Sequence, residues 1–290
     1  MSALFTALAI PNSDDSVIHI QPPTHEHGSI PSIVNLANEH YIVTLTSVEE
    51  KAGTTTSALT LATMLKVLSH QQLDVAVLDM NTTNPELFYH TEDTQIDFVS
   101  LSDREIYGWD YLESKKSITC QGFDCFTVFG DEHPYSNREG QQLDALLTAL
   151  KHNYDVIIID SDAYSHDNPY TMLAMQRSDI TLCVSSCTED TLSLLSDKLN
   201  LFLLPENEGG LGLSASTFGA LLNRNSSGLL ATHRLTEELR EEVAVVGSIP
   251  VLPYQKNDRM KLATLQDDPE LLKSGLVTVR NIFTDYNFTK

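Results

Sequence analysis

Five stretches of this 290-residue chain share one form, an apolar run that closes on polar residues. They read YIVTLTS (41–47), LDVAVLDMN (73–81), YDVIIIDSD (154–162), DITLCVSS (179–186) and STFGALLNRN (216–225). Aliphatic and β-branched residues without polar alternation suit strands buried on both faces, the condition of a parallel sheet covered on two sides. Helical patterns lie between the runs. TSALTLATMLKVLSH (56–70) sets Leu59, Ala62, Leu65 and Leu68 at helical spacing, and QQLDALLTALKHN (141–153) and TEDTLSLLSDKLNLFLL (188–204) do the same elsewhere. The alternation predicts an α/β chain, a doubly wound, mostly parallel sheet with helices on both faces. In such a sheet the functional groups gather beyond the carboxyl ends of the strands. That draws attention to the loop 47–55, to Asp79 and Asn81, to Asp160 and Asp162, and to Asn223.

The charge balance narrows the partners. With 18 Lys+Arg against 40 Asp+Glu the formal charge is -22, and the only adjacent basic pair is Lys115–Lys116. Such a surface opposes nucleic acid and anionic lipid. It fits solubility, adaptation to salt, or attraction to a basic protein. Cys120, Cys125, Cys183 and Cys187 lack zinc-site spacing, and a chain of this size needs no disulfide staples, so reduced and mostly buried thiols are expected. The opening MSALFTALAIPNSDD has no basic leader, and no apolar run is long enough to cross a bilayer, which predicts a cytoplasmic protein. Residues 1–40, with QPPTHEHGSIPS, read as a tail or linker. Its apolar start, ALFTALAI, is suited to docking on a partner or on the domain itself, and His25 and His27 read as solvated. The folded domain is expected over 41–290.

The stretch TSVEEKAGTTTSALTLATML (46–65) sits where a strand gives way to a helix. A phosphate loop there needs glycines for close backbone approach, a lysine for the terminal phosphates and a hydroxyl for magnesium. Laid over G-x-x-x-x-G-K-[ST], the chain offers Val48, Gly53, Thr54 and Thr55, so one glycine and the hydroxyl remain.

The loop together with DMNTTNP, YDVIIID, SDITLCV, LLNRN and GSIPVLPY resembles, in order and spacing, the MinD/ParA branch of the P-loop NTPases over roughly residues 41–275. GTTT in place of GKTT is similar to the CpaE/TadZ pilus-assembly group and to the cellulose-secretion protein BcsQ. Residues 122–160 also resemble the bacterial tyrosine kinases of polysaccharide export. Those carry a carboxyl-terminal tyrosine cluster, whereas TDYNFTK here holds only Tyr286. The resemblance implies a nucleotide site at Gly53, Thr54, Thr55, Thr56, Asp79 and Asp160, with Asn223 where family members touch the adenine base. It assigns magnesium, if Mg-ATP binds, to Thr55, Asp79 and Asp160. By position the family's signature lysine falls on Glu49, its paired glycines on Glu50 and Lys51, its loop lysine on Thr54, and the aspartate that positions the attacking water on Asn81.

Those departures reverse the charge of the site. A carboxylate about 5 Å from a phosphate, at an effective dielectric near 20, costs about 3 kcal/mol per charge faced before screening. No hydrolysis is expected, and either no cofactor or weakly bound Mg-ATP. Glu49 or Glu50 is a candidate to fold over the amino end of the helix 55–68 and stand in for phosphate; the other reading leaves both in water. The resemblance then implies a catalytically degenerate scaffold or localisation factor for a bacterial envelope machine, such as a pilus, secretion or polysaccharide apparatus. Its partners would be proteins of that assembly, with homodimerisation allowed and recruitment to the inner membrane or cell pole through them. The alternative is an active ATPase of the CpaE/BcsQ type that dimerises on Mg-ATP. DNA segregation in the manner of ParA is opposed by the acidity. LVTVRNIFTDYNF (276–288) has Arg280 as its one basic group, with Lys290 just beyond, so stable membrane insertion is not expected and a terminal helix or strand packed on the domain is.

Overall fold

The computed structural model describes residues 40–69, 71–81, 85, 87, 97–101, 108–119, 122–129, 137–164, 168–186, 188–214, 217–225, 244–250 and 269–285. In chain order these form β1 (Tyr41–Ser47), α1 (Thr54–Leu68), β2 (Val75–Met80), β3 (Phe98–Ser100), α2 (Trp109–Lys115), β4 (Ser117–Ile118), β5 (Asp124–Phe129) and α3 (Asn137–Lys151). There follow β6 (Val156–Ala163), α4 (Pro169–Arg177), β7 (Ile180–Ser186), α5 (Glu189–Leu203), β8 (Phe218–Asn225), β9 (Ala244–Pro250) and α6 (Pro269–Arg280), which runs on into a π-helical turn at Asn281–Asp285. The strands make one sheet in the order β3-β5-β2-β6-β1-β7-β8-β9. Every pair is parallel except β4, which lies antiparallel to β5. The predicted doubly wound α/β class is the observed one.

Period-two geometry explains the unbroken apolar runs, since neighbouring residues on a strand face opposite sides. On β1, Val43 and Leu45 join the core under α1, while Ile42 joins the core under α3 and α4. β6 divides in the same way, with Val156 and Ile158 on one side and Ile157 and Ile159 on the other. A third apolar cluster, built from Leu192, Leu195, Leu199 and Phe202 of α5, packs on Cys183, Phe218, Ala220 and Leu222. The central strands β1, β2 and β6 are buried on both faces, and even the alternating Thr44 and Thr46 of β1 are buried, donating to the Ala174 and Asp162 carbonyls.

α1 is enclosed on nearly all sides, yet it carries many hydroxyls. Ser57, Thr60 and Thr63 resolve this by donating to the carbonyls of Gly53, Thr56 and Leu59 at 2.8, 2.7 and 2.8 Å. Lys66, also buried, donates to the Leu73 carbonyl at 2.7 Å and so fastens the end of α1 to the entry of β2. The carboxyl-terminal segment forms a helix: α6 lies across α1, with Val279, Ile282 and Phe283 in the same core. Phe283 meets Tyr41 edge-on, ring centres 5.6 Å apart. The sequence patterns miss β3, β4, β5, β9, α2 and α4. For α4 a signal was present, because Asn168 caps it by accepting from Tyr170 and Thr171 N–H at 3.1 and 3.3 Å with Pro169 at its first position. Cys125 and Cys183 are buried free thiols as expected; Cys120, Cys187, His25, His27 and the tail up to 39 lie outside the described residues. Among the described residues no helix is long and apolar enough to cross a membrane.

The crossing of α6 over α1 depends on Gly275. A β-carbon there would stand 2.3 Å from Met64 Cγ and 2.5 Å from its sulfur, and Met64 is fully buried. Gly275→Val is expected to lose about 1–3 kcal/mol of stability in urea unfolding through overpacking. Leu276→Ala, at an exposed position one residue on, should change it by less than about 0.5 kcal/mol.

Candidate nucleotide site

The turn from β1 into α1 holds two left-handed residues close together. Gly53 is left-handed, with φ 94°, and Lys51 is left-handed as well, with φ 62°. A lysine therefore holds a conformation that glycine adopts without strain, at a cost of about 1 kcal/mol. Within α1 the first backbone N–H with a partner is that of Ser57, on the Gly53 carbonyl at 2.9 Å. The N–H groups of Thr54, Thr55 and Thr56 meet no acceptor among the described residues. Unsatisfied donors at a helix start attract anions.

Asn223, at the carboxyl end of β8, closes one side of this turn. Its Nδ2 donates to the Ala52 carbonyl at 2.7 Å and lies 2.0 Å from where a β-carbon on residue 53 would stand. Only glycine fits at 53. On the other side Ser47 Oγ donates to the Glu49 carbonyl at 2.6 Å, and Ser186 Oγ, at the end of β7, donates to Glu49 Oε1. Glu49 is half-buried; Glu50 and Lys51 are exposed. Neither glutamate bonds to the first turn of α1 among the described residues.

Below the turn, β2 and β6 set Asp79 and Asp160 opposite each other in parallel register, both fully buried. Their environments differ. Asp79 accepts from the N–H groups of Asn81 and Leu87, each at 3.0 Å, which stabilises its charge. Both oxygens of Asp160 lack a hydrogen-bond partner of ordinary geometry. Burial, and next the Asp79 carboxylate, push its pKa well above the usual carboxylate range, while the nearby hydroxyls of Thr55 and Thr54 oppose the rise. Thr54 and Thr55 thus present their hydroxyls to the carboxylate. Asn81 follows β2 with its N–H spent on Asp79.

A hard cation fits this arrangement, because an orphaned buried carboxylate next to two hydroxyls lacks only positive charge. Asp160 and Thr55 would hold magnesium, which would supply that charge. A polyphosphate fits less well: the donor N–H groups are in place, but the side chain anchored in the same loop, Glu49 on Ser186, is an acid. The structure brings together Gly53, Thr54, Thr55, Asp79, Asp160 and Asn223, leaves Thr56 half-buried on the next turn, and sends Glu50 into solvent. Sequence reasoning missed Ser186. The polar close of DITLCVSS was its only signal.

No family model matches the chain, and no curated protein matches it. Solved structures do. MinD in the MinC:MinD cell-division complex of Aquifex aeolicus superposes with a TM-score of 0.63 at 16% identity, covering 83% of this chain and 95% of that one. A ParA-family ATPase of Chlorobium tepidum gives 0.61 at 16%, covering 84% and 99%. The septum site-determining protein MinD of Pyrococcus horikoshii, complexed with Mg-ADP, gives 0.60 at 16%, covering 86% and 98%. At these identities the likeness defines the fold, and the fold is that of the MinD and ParA ATPases.

Two measurements check the buried groups. The folded state holds the Asp160 proton more tightly than the unfolded chain does. Its stabilising effect is therefore complete below about pH 4 and lost as pH rises through the raised value. Asp160→Asn should gain on wild type as pH rises above about 4, its advantage at pH 9 exceeding that at pH 4 by at least about 1 kcal/mol. The Cys183 thiol is pushed up to about 12, by burial first and then by the Glu49 carboxylate. At pH 8 iodoacetamide should leave Cys125 and Cys183 unmodified in the folded protein and label both in urea, as read by mass spectrometry.

Proposed function

We propose that this chain is a MinD/ParA-type fold retained as a scaffold, not as a motor: a protein that recruits or places components of a bacterial envelope machine and does not turn over ATP. The observation that carries it is the charge around the loop. Glu49 is held half in protein by Ser186, Thr54 replaces the ammonium that would face Asp160, and Asn81 occupies the place of the carboxylate that positions water. The partner class, a pilus, secretion or polysaccharide apparatus, rests on the likeness of GTTT to the CpaE/TadZ and BcsQ loops. MinD of Aquifex aeolicus, solved in complex with MinC, illustrates a protein of this fold acting through a protein partner.

A second reading has its own support. The open N–H groups of Thr54–Thr56 and the unmatched Asp160 would suit Mg-nucleotide, and the Pyrococcus horikoshii neighbour was solved with Mg-ADP. Thermal melting separates the two. A ligand at 100 times its Kd adds about 2.7 kcal/mol, several degrees for a chain of this size. Under the scaffold reading millimolar Mg-ATP moves Tm by less than a degree or so, and phosphate release stays at the buffer rate. A rise of several degrees with turnover would establish the ATPase instead. Co-purification from cells, with and without residues 1–40, then reports the partner and whether the tail recruits it.

A further inference from the structure

A cradle whose backbone donors are still in place needs something to keep anions out. Decay alone does not explain the state of Glu49. A loop that had merely lost its function would leave the carboxylate in water, because desolvating one is unfavourable unless a donor meets it. Glu50 behaves that way and is exposed. Glu49 does not: it is half-buried, and a specific hydroxyl donates to its Oε1.

That hydroxyl is itself fixed. Ser186 ends β7, and its carbonyl accepts from Thr191 Oγ1 in the first turn of α5, where Thr188 and Thr191 hydroxyls also meet at 2.9 Å. At the other root of the same residue, Ser47 Oγ holds the Glu49 carbonyl at 2.6 Å. Residue 49 is thus gripped at backbone and side chain by neighbours on two adjacent strands, β1 and β7. Its charge reaches into the core between them, where the Cys183 thiol of β7 feels it. The one cation of the loop, Lys51, is exposed and makes no ion pair with it among the described residues.

We propose that the Glu49–Ser186 contact is an autoinhibitory latch: Ser186 pairs across the sheet with Asn223, whose amide abuts Gly53, so the contact anchors a negative charge at the loop that leads into α1 and excludes polyphosphate from it. It rests on the scaffold reading and gives that reading a cause, an internal acid in competition with the ligand. Two parts are separable. Glu49→Gln keeps the shape and the hydrogen bond but removes the charge, and Ser186→Ala keeps the charge but frees the arm that carries it.

The test is titration of Mg-ATP into the full chain by calorimetry, for wild type, Glu49→Gln, Ser186→Ala and Glu50→Gln, each first checked for an unchanged melting profile. The latch predicts a Kd at least about 10-fold lower in Glu49→Gln, a smaller gain of about 3-fold or more in Ser186→Ala, and no change in Glu50→Gln. Equal constants for Glu49→Gln and wild type would overturn it. So would a gain in Glu50→Gln as large as that in Glu49→Gln, or a gain in Glu49→Gln with Ser186→Ala unmoved, since the charge would then act without being anchored. The wild-type constant alone judges the scaffold reading: micromolar binding defeats it, while the ratio of variant to wild type still decides the latch.

Discussion

Parallel pairing of β1 between β6 and β7 governs the rest of the molecule. β1 runs in register with β6 from Tyr41 against Val156 and with β7 from Val43 against Ile180. These two ladders fix where the chain leaves the sheet to start α1. They bring Asp160 beneath that exit and Ser186 beside it. The register shift between Leu45 and Ser47 lies at the same exit, where Tyr164 N–H reaches the Ser47 carbonyl at 2.6 Å. Because the strands are buried on both faces, a slip of one residue would exchange the two cores of the domain and is strongly disfavoured.

Within that frame the two buried aspartates show how environment, not residue type, sets charge. They sit side by side, yet one is met by two backbone N–H groups and the other by none. Asp79 is spent on bracing the chain beyond β2, through the N–H groups of Asn81 and Leu87. Asp160 is left to bind a proton or a cation. The same sheet end carries a third acid, Glu49, stabilised by a hydroxyl from the next strand. Three carboxylates in one region thus have three different partners, and only one of them is open to a ligand.

How much of this was legible in the sequence follows from the physics of each element. β1, β2, β6, β7 and β8 stood out because burial on both faces leaves runs such as VIIID with nothing polar inside. β3 and β4 span three and two residues, too short for any period. β5, DCFTVF, is diluted by Asp124 and Thr127, and β9, AVVGSIP, is broken by Gly247. The positions of Gly53, Thr55, Asp79, Asp160 and Asn223 could be read from strand ends. What they bond to could not. Ser186 and Glu49 lie 137 residues apart, and the N–H groups that satisfy Asp79 come from Asn81 and Leu87, which no residue pattern marked.

The interlock of Gly53 with Asn223 has a consequence for descent. The amide nitrogen of Asn223 already fills the space that any side chain at 53 would enter. The two positions are therefore epistatic: residue 53 is held as glycine by the bulk of 223 as well as by its left-handed φ of 94°, while a smaller 223 gives up its bond to the Ala52 carbonyl. Any chain that keeps Asn223 on the Ala52 carbonyl therefore keeps glycine at 53 on packing grounds alone, whatever the loop binds.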